Sequence, residues 1–154
     1  MWGSGRRGEG GPGQIGGIFG EGLTGTNGIF VNPPGYLPAL RALCDKYGIL
    51  LVVDEVMSGF GRTGKWFAVD HANVVPDIIT FAKGVNSGYV PLGGMIMNKT
   101  LSHCFGDHMS WGGLTSSAHP LAWASWGGTR SEDGAAWRSV QAGRTGCAVR
   151  SARK

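Results

Sequence analysis

Five consecutive apolar residues, Ile49-Leu50-Leu51-Val52-Val53, run directly into two acids, Asp54 and Glu55. The run is apolar and rich in β-branched residues, without polar alternation, which is the pattern of a central parallel strand covered on both faces. Such a strand needs helices and further strands around it, and the flanking text supplies them. From Tyr36 to Tyr47, Leu37, Leu40, Leu43 and Cys44 recur at helical spacing, with Lys46 in the last turn and Gly48 as the stop. Pro33, Pro34 and Gly35 break the chain before that helix, and IGGIF (15–19) predicts an earlier short strand followed by a turn at TGTNG (24–28). After Pro76, DIITFA (77–82) predicts another strand, closed by Lys83-Gly84. PLGGMIMN (91–98) predicts a third central strand and KTLSHCF (99–105) a short helix. The alternation predicts an α/β sheet from about Ile15 to Asn98, in which ligands bind beyond the carboxyl ends of the strands. Asp54 and Lys83 each stand at such an end.

The stretch Gly59-Phe-Gly-Arg-Thr-Gly-Lys65 fits the first seven positions of a phosphate-binding loop. That motif needs a Ser or Thr next, whose hydroxyl binds magnesium. Here Trp66 follows, and Asp54 to Ser58 separate the strand from the loop. The nucleotide-hydrolase reading fails, and Gly59, Gly61 and Gly64 read as turn formers.

The net charge lies at the ends. Residues 126–154 hold six Lys or Arg against two acids, and the head holds Arg6, Arg7 and Glu9. The stretch 15–125 has six basic residues and seven acids, so the formal +4 belongs to the ends and a nucleic-acid partner is discarded. Glycine, at 29 residues, is concentrated there too: the first 14 residues include six of them. Neither 1–14 nor 126–154 has enough apolar surface to offset its ordering entropy, so both are expected to be disordered.

Cys44, Cys104 and Cys147 form no CxxC pair, and the spacing of His103, Cys104 and His108 matches no common zinc pattern. The odd thiol count and the lack of a signal peptide predict a reducing, cytoplasmic setting. No apolar run approaches the roughly 20 residues that span a bilayer, so no membrane is expected.

A carboxylate and a lysine remain, 29 positions apart, both at strand ends. Taken singly, a lysine after a strand is a solvated surface group and an Asp is a cap or turn residue. Together they suit one chemistry. A lysine between apolar residues and glycine can be desolvated, which favours the neutral amine that attacks carbonyls. An Asp can hold a pyridinium nitrogen protonated, making the ring an electron sink.

The blocks LLVVDEVMSGFGRTGKWFAVDH, VPDIITFAKGVNSGYVPLGG and GGLTSSAHPLA, in that order and spacing, closely resemble class III aminotransferases, pyridoxal-phosphate enzymes of the aspartate-aminotransferase fold. The resemblance covers roughly residues 15–124 and is closest to the ω-amino-acid and taurine or amine:pyruvate branch. It implies a partial large domain of fold type I over 15–125, a mostly parallel sheet with flanking helices. It implies that Lys83 forms the internal Schiff base and shuttles the proton, and that Asp54 bonds the pyridine nitrogen. Val56 corresponds to the apolar residue packed on the ring, Glu21 to the acid of a Glu-Pro pair beneath the cofactor. Thr115 corresponds to the threonine that reaches the phosphate of the neighbouring subunit's cofactor, which implies a homodimer.

This sequence departs from the family pattern in several places. Gly22 replaces the proline after Glu21, which is expected to loosen that strand end, and Met57 stands where many members carry glutamine. Thr26 occupies the position of a gating glutamate, and Ser116 replaces an aromatic residue. Upstream of Glu21 nothing resembles the family's phosphate loop, and nothing downstream resembles its small C-terminal domain. The loss of pattern near Ala124 leads to the expectation that both ends are foreign to the parent reading frame.

The resemblance thus implies transfer of an amino group from an amine or ω-amino acid to a 2-oxo acid such as pyruvate. The alternatives are an inactive remnant of the family, or an aminomutase or decarboxylating relative using the same cofactor.

Overall fold

The computed structural model describes residues 15–104, 119–122 and 124–125. The expectations for the head, the tail, His108, Thr115, Ser116 and Cys147 lie outside these residues.

The described strands form one sheet in the order β1-β2-β3-β4, namely Gly17–Glu21, Leu50–Asp54, Ile78–Phe81 and Gly94–Met97. β1 pairs with β2 and β2 with β3 in parallel, whereas β3 and β4 are antiparallel. β2 is central, as its uniform apolar run predicts, with Leu51, Val52 and Val53 all buried. Helix α1 (Tyr36–Tyr47) links β1 to β2 and has the bounds expected of it. Gly48 adopts the left-handed conformation at its C-terminus (φ 64°) and returns its N–H to the Cys44 carbonyl. Leu37 and Cys44 face the core, seven residues apart on one stripe, with Leu40 packed partly beside them. Leu43, expected on that stripe, lies 42% exposed because it is one residue, about 100° of helix, away from Cys44.

The core gathers Leu37 and Cys44 of α1, Leu51 and Val53 of β2, Ile79 of β3, and Ile49, Phe67, Val69 and Val74. Each such aliphatic or aromatic side chain contributes about 1.5–3 kcal/mol on burial. Burial also pushes the Cys44 thiol up from its ordinary pKa.

Asp77 ties the amino-terminal side of the sheet. Its Oδ2 accepts the Leu51 N–H of β2 and an Nη1 hydrogen of Arg41 on α1, both at 2.8 Å. Its Oδ1 accepts Nδ2–H of Asn98 at 2.9 Å. Burial works against the Arg41 charge, but Asp77 and Asp45 outweigh it and raise the guanidinium pKa.

Two expectations are corrected. β1 runs 17–21 rather than 15–19, because Gly17 to Glu21 find register partners from Leu50 to Asp54. β4 is an antiparallel edge among the described strands, not a central one. The 82–93 connection turns the chain back along β3. Pairing begins at Gly94, where a Cβ would stand 2.8 Å from the Phe81 ring. Helix α2 (Lys99–His103) follows, capped by Asn98 Oδ1 accepting the Leu101 N–H.

Candidate functional site

Parallel pairing sets three residues level at the carboxyl ends of β1, β2 and β3. Glu21 is the register partner of Asp54, and Asp54 that of Thr80. Leu51 and Val53 join the core on the α1 side, so alternation sends Val52 and Asp54 to the opposite face. Asp54 is half-buried there, and its Oδ1 accepts the Val56 N–H at 2.8 Å. That is the single hydrogen bond of its side chain among the described residues, and Oδ2 has none there. Val56 is half-buried beside it.

Lys83 lies three positions beyond Thr80, at the start of a 3-10 turn, Lys83–Val85. Its φ is +41°, a left-handed value uncommon for a residue with a side chain. Strain of this kind concentrates at functional sites. The expected desolvation is corrected: Lys83 is exposed. Its flanking residues are apolar, but β3 ends at Phe81, and the chain has left the sheet when it reaches Lys83. Asn86 holds the turn from the far side, with Nδ2–H donated to Val90 O at 2.8 Å and to Ser125 Oγ at 3.2 Å.

The Gly-Lys stretch folds beneath this rim as a closed turn. Phe60 and Gly61 N–H both point to the Trp66 carbonyl, at 2.6 and 3.4 Å, so these donors serve the turn itself. Gly61 and Gly64 have φ of 86°, the left-handed value that favours glycine. Gly59 has a different duty, because a Cβ there would sit 2.8 Å from the Glu55 carbonyl. Lys65 Nζ donates to the Asp70 carbonyl at 3.0 Å. The Phe60 ring stands edge-on to Trp66, Phe67 and Phe81, packing the loop against the end of β3.

Glu55, to which the sequence pattern assigns no role beyond the second acid after the strand, is fully buried. Its Oε1 accepts the Val69 N–H at 2.9 Å, and its Oε2 accepts the Ala68 N–H at 3.0 Å and the Ser58 hydroxyl. The signal that could have found it is the polar pair Asp-Glu closing a buried strand, which cannot place both acids at the rim.

The exit of β1 is pinned, not loosened. Glu21 Oε2 accepts the Gly25 N–H at 2.7 Å, and Asn32 Nδ2 donates to the carbonyls of Glu21 and Gly22. Gly22 is required by space, since a Cβ would lie 2.8 Å from Ala68 Cβ and 3.1 Å from Glu55 Oε1. Thr26 is exposed, and Met57 packs on Gly25. The structure thus brings Glu21, Asp54 and Val56 to one rim, with Lys83 on the turn beyond Thr80.

Comparison with known proteins matches residues 8–129 to the family model described as aminotransferase class-III. Over 82 residues the chain is 54% identical to a taurine–pyruvate aminotransferase of Bilophila wadsworthia, covering 53% of this chain and 18% of that protein. It is 46% identical over 107 residues to an acetylornithine aminotransferase of Methanopyrus kandleri, covering 68% and 26%. Among solved structures, a taurine:2-oxoglutarate aminotransferase from Bifidobacterium kashiwanohense, in complex with PLP and glutamate, superposes with a TM-score of 0.76 at 49% identity. That match covers 81% of this chain and 28% of the other. The chain therefore spans about a fifth to a quarter of the length of the curated relatives it matches.

Proposed function

The chain belongs to the class III aminotransferase family, and from that premise we propose that its strand-end rim is the pyridoxal-phosphate face of an amino-group transferase. The amino donor is an amine or ω-amino acid and the acceptor a 2-oxo acid such as pyruvate. The observation that carries this reading is the register of Asp54 with Thr80, with Lys83 three residues further on.

The donor set suits the cofactor. Asp54 offers a carboxylate oxygen beyond the one used by Val56, which fits the protonated nitrogen of a pyridine ring. Lys83 offers the primary amine that would hold the cofactor's aldehyde carbon, and the base that accepts and returns the donor's proton. Val56 offers an apolar flank to the ring, and Glu21 braces the rim through Gly25. When bound, pyridoxal phosphate supplies an electron sink for the carbon bearing the amine. Thr115 belongs to the same reading as the phosphate contact across a homodimer, its support being the resemblance of the third sequence block. No helix among the described residues is long and apolar enough to cross a membrane, and a cytoplasmic setting completes the reading.

An absorbance titration of the chain with pyridoxal phosphate tests this. Saturable binding is expected, weakened about tenfold or more in Asp54→Ala as a charge-assisted hydrogen bond is lost. A chain that shows no saturable binding refutes the reading.

A further inference from the structure

We propose that Glu55 is a positioning residue that fixes Asp54 relative to the Lys83 turn, an inference that rests on the aminotransferase reading above. Every hydrogen-bonding group of Glu55 is engaged, and each engagement leads to a different part of the rim. Its N–H donates to Thr80 O at 2.9 Å, which joins the exits of β2 and β3 one residue past Asp54. Its carbonyl accepts the Gly59 N–H at 2.9 Å, which starts the loop beneath the rim. Its buried carboxylate gathers Ser58 Oγ, Ala68 N–H and Val69 N–H. Ala68 in turn abuts Gly22, just past Glu21.

The same loop carries the constraint to Lys83. A Cβ on Gly84 would lie 2.9 Å from the Gly59 carbonyl and 3.1 Å from Phe60 Cβ, so the Lys83-Gly84 turn rests directly on the backbone that Glu55 holds. Three donors converge on this side chain, and only a carboxylate accepts all of them without adding a donor of its own. An amide offers one accepting oxygen, so the Ala68 and Val69 N–H groups would compete for it while one stays buried and unpaired.

A brace that merely stabilises the fold predicts something different from a clamp on the rim, and amide hydrogen exchange separates the two. The measurement uses the full chain and its Glu55→Gln variant, without added cofactor. Val56 N–H reports on Asp54 through its bond to Oδ1. Val85 N–H, bonded to Ala82 O at 3.2 Å, reports on the Lys83 turn. Leu51 N–H, bonded to Asp77 at the opposite end of β2, reports on the fold. The expected result is exchange about tenfold faster at Val56 and Val85, with Leu51 within about twofold of the parent. Equal acceleration at all three amides makes Glu55 a stabilising brace only and overturns the proposal, as does an unchanged Val56 or Val85. Ser58→Ala removes one donor from the same carboxylate and stands in where Glu55→Gln does not fold. It should give the same selective pattern at about threefold, and a uniform response there overturns the proposal equally. The measurement needs no pyridoxal phosphate, so its failure leaves the aminotransferase reading intact. Failure of the parent chain to bind the cofactor refutes that reading without touching the exchange result.

Discussion

Asp54 and Glu55 are consecutive, yet they belong to different environments. Asp54 stays half-buried at the rim with one hydrogen bond from Val56, while Glu55 turns inward, fully buried, and takes three donors. One acid keeps a carboxylate oxygen with no donor among the described residues, and the other is consumed in building the rim. The consequences can be measured separately.

The loop glycines answer to space. Gly59→Ala places a methyl group 2.8 Å from the Glu55 carbonyl, a backbone atom that cannot give way, and should cost about 2–3 kcal/mol. Gly22→Ala should also destabilise, since Ala68 Cβ lies 2.8 Å from the added atom. Gly16→Ala meets nothing within 4 Å and should be neutral or stabilising by up to about 1 kcal/mol. Urea midpoints of the three variants rank these effects, and equal midpoints contradict the packing described.

Asp77 should be less replaceable than its position before a strand implies. Asp77→Ala leaves the Leu51 N–H without its acceptor and Arg41 without its partly buried partner, with Asp45 remaining. A loss of about 1–3 kcal/mol is expected in chemical denaturation. A loss below about 0.5 kcal/mol, the range of a surface substitution, refutes the network.

The two thiols among the described residues differ by burial. Cys104 is exposed and should react at once with a thiol reagent, whereas Cys44 should label only on unfolding. Burial raises the folded-state pKa of Cys44, so its protonated form is favoured in the fold. Its contribution is therefore complete below the ordinary thiol value of about 8.5 and is lost as pH rises through that value toward the raised one. Stability should fall on the alkaline side, and Cys44→Ala should remove that part of the slope. An unchanged slope in the variant sinks the assignment.

Much of this architecture was readable from the text because its strongest signals are local. The unbroken Ile49–Val53 run gives a buried parallel strand, and the spacing of Leu37, Leu40 and Cys44 gives α1. Asp54 and Lys83 were legible as strand ends. What escaped depends on distant partners. Glu55 is buried because donors 13 and 14 residues away reach it, and the bonds of Asp77 span 26 and 36 residues. β4 read as central because Gly-Met-Ile-Met is apolar throughout. Its pairing direction is set by the 82–93 return and the Phe81 ring, which no periodicity records. The exposure of Lys83 escaped for a related reason, since apolar neighbours in sequence do not decide what stands over a turn.

The left-handed backbone at Lys83 should cost stability independently of its amine. Lys83→Gly is expected to be about 1 kcal/mol more stable than Lys83→Ala, because glycine adopts φ +41° without the steric penalty of a Cβ. Thermal midpoints of the two variants decide this, and a less stable glycine variant contradicts the strained turn.

The central proposal is that Lys83, on the turn beyond Thr80, carries the covalent chemistry of this chain. Incubation with pyridoxal phosphate, borohydride reduction and peptide mapping test it most directly. Lys65 donates to the Asp70 carbonyl, and Lys99 begins α2 just past Met97, which pairs with Ile78 at the start of β3 and so at the sheet end away from Asp54; neither should compete. The account predicts a reduced adduct on Lys83 that disappears in Lys83→Ala and weakens in Asp54→Ala. A stable adduct on Lys65 or Lys99, with Lys83 unmodified, would contradict it.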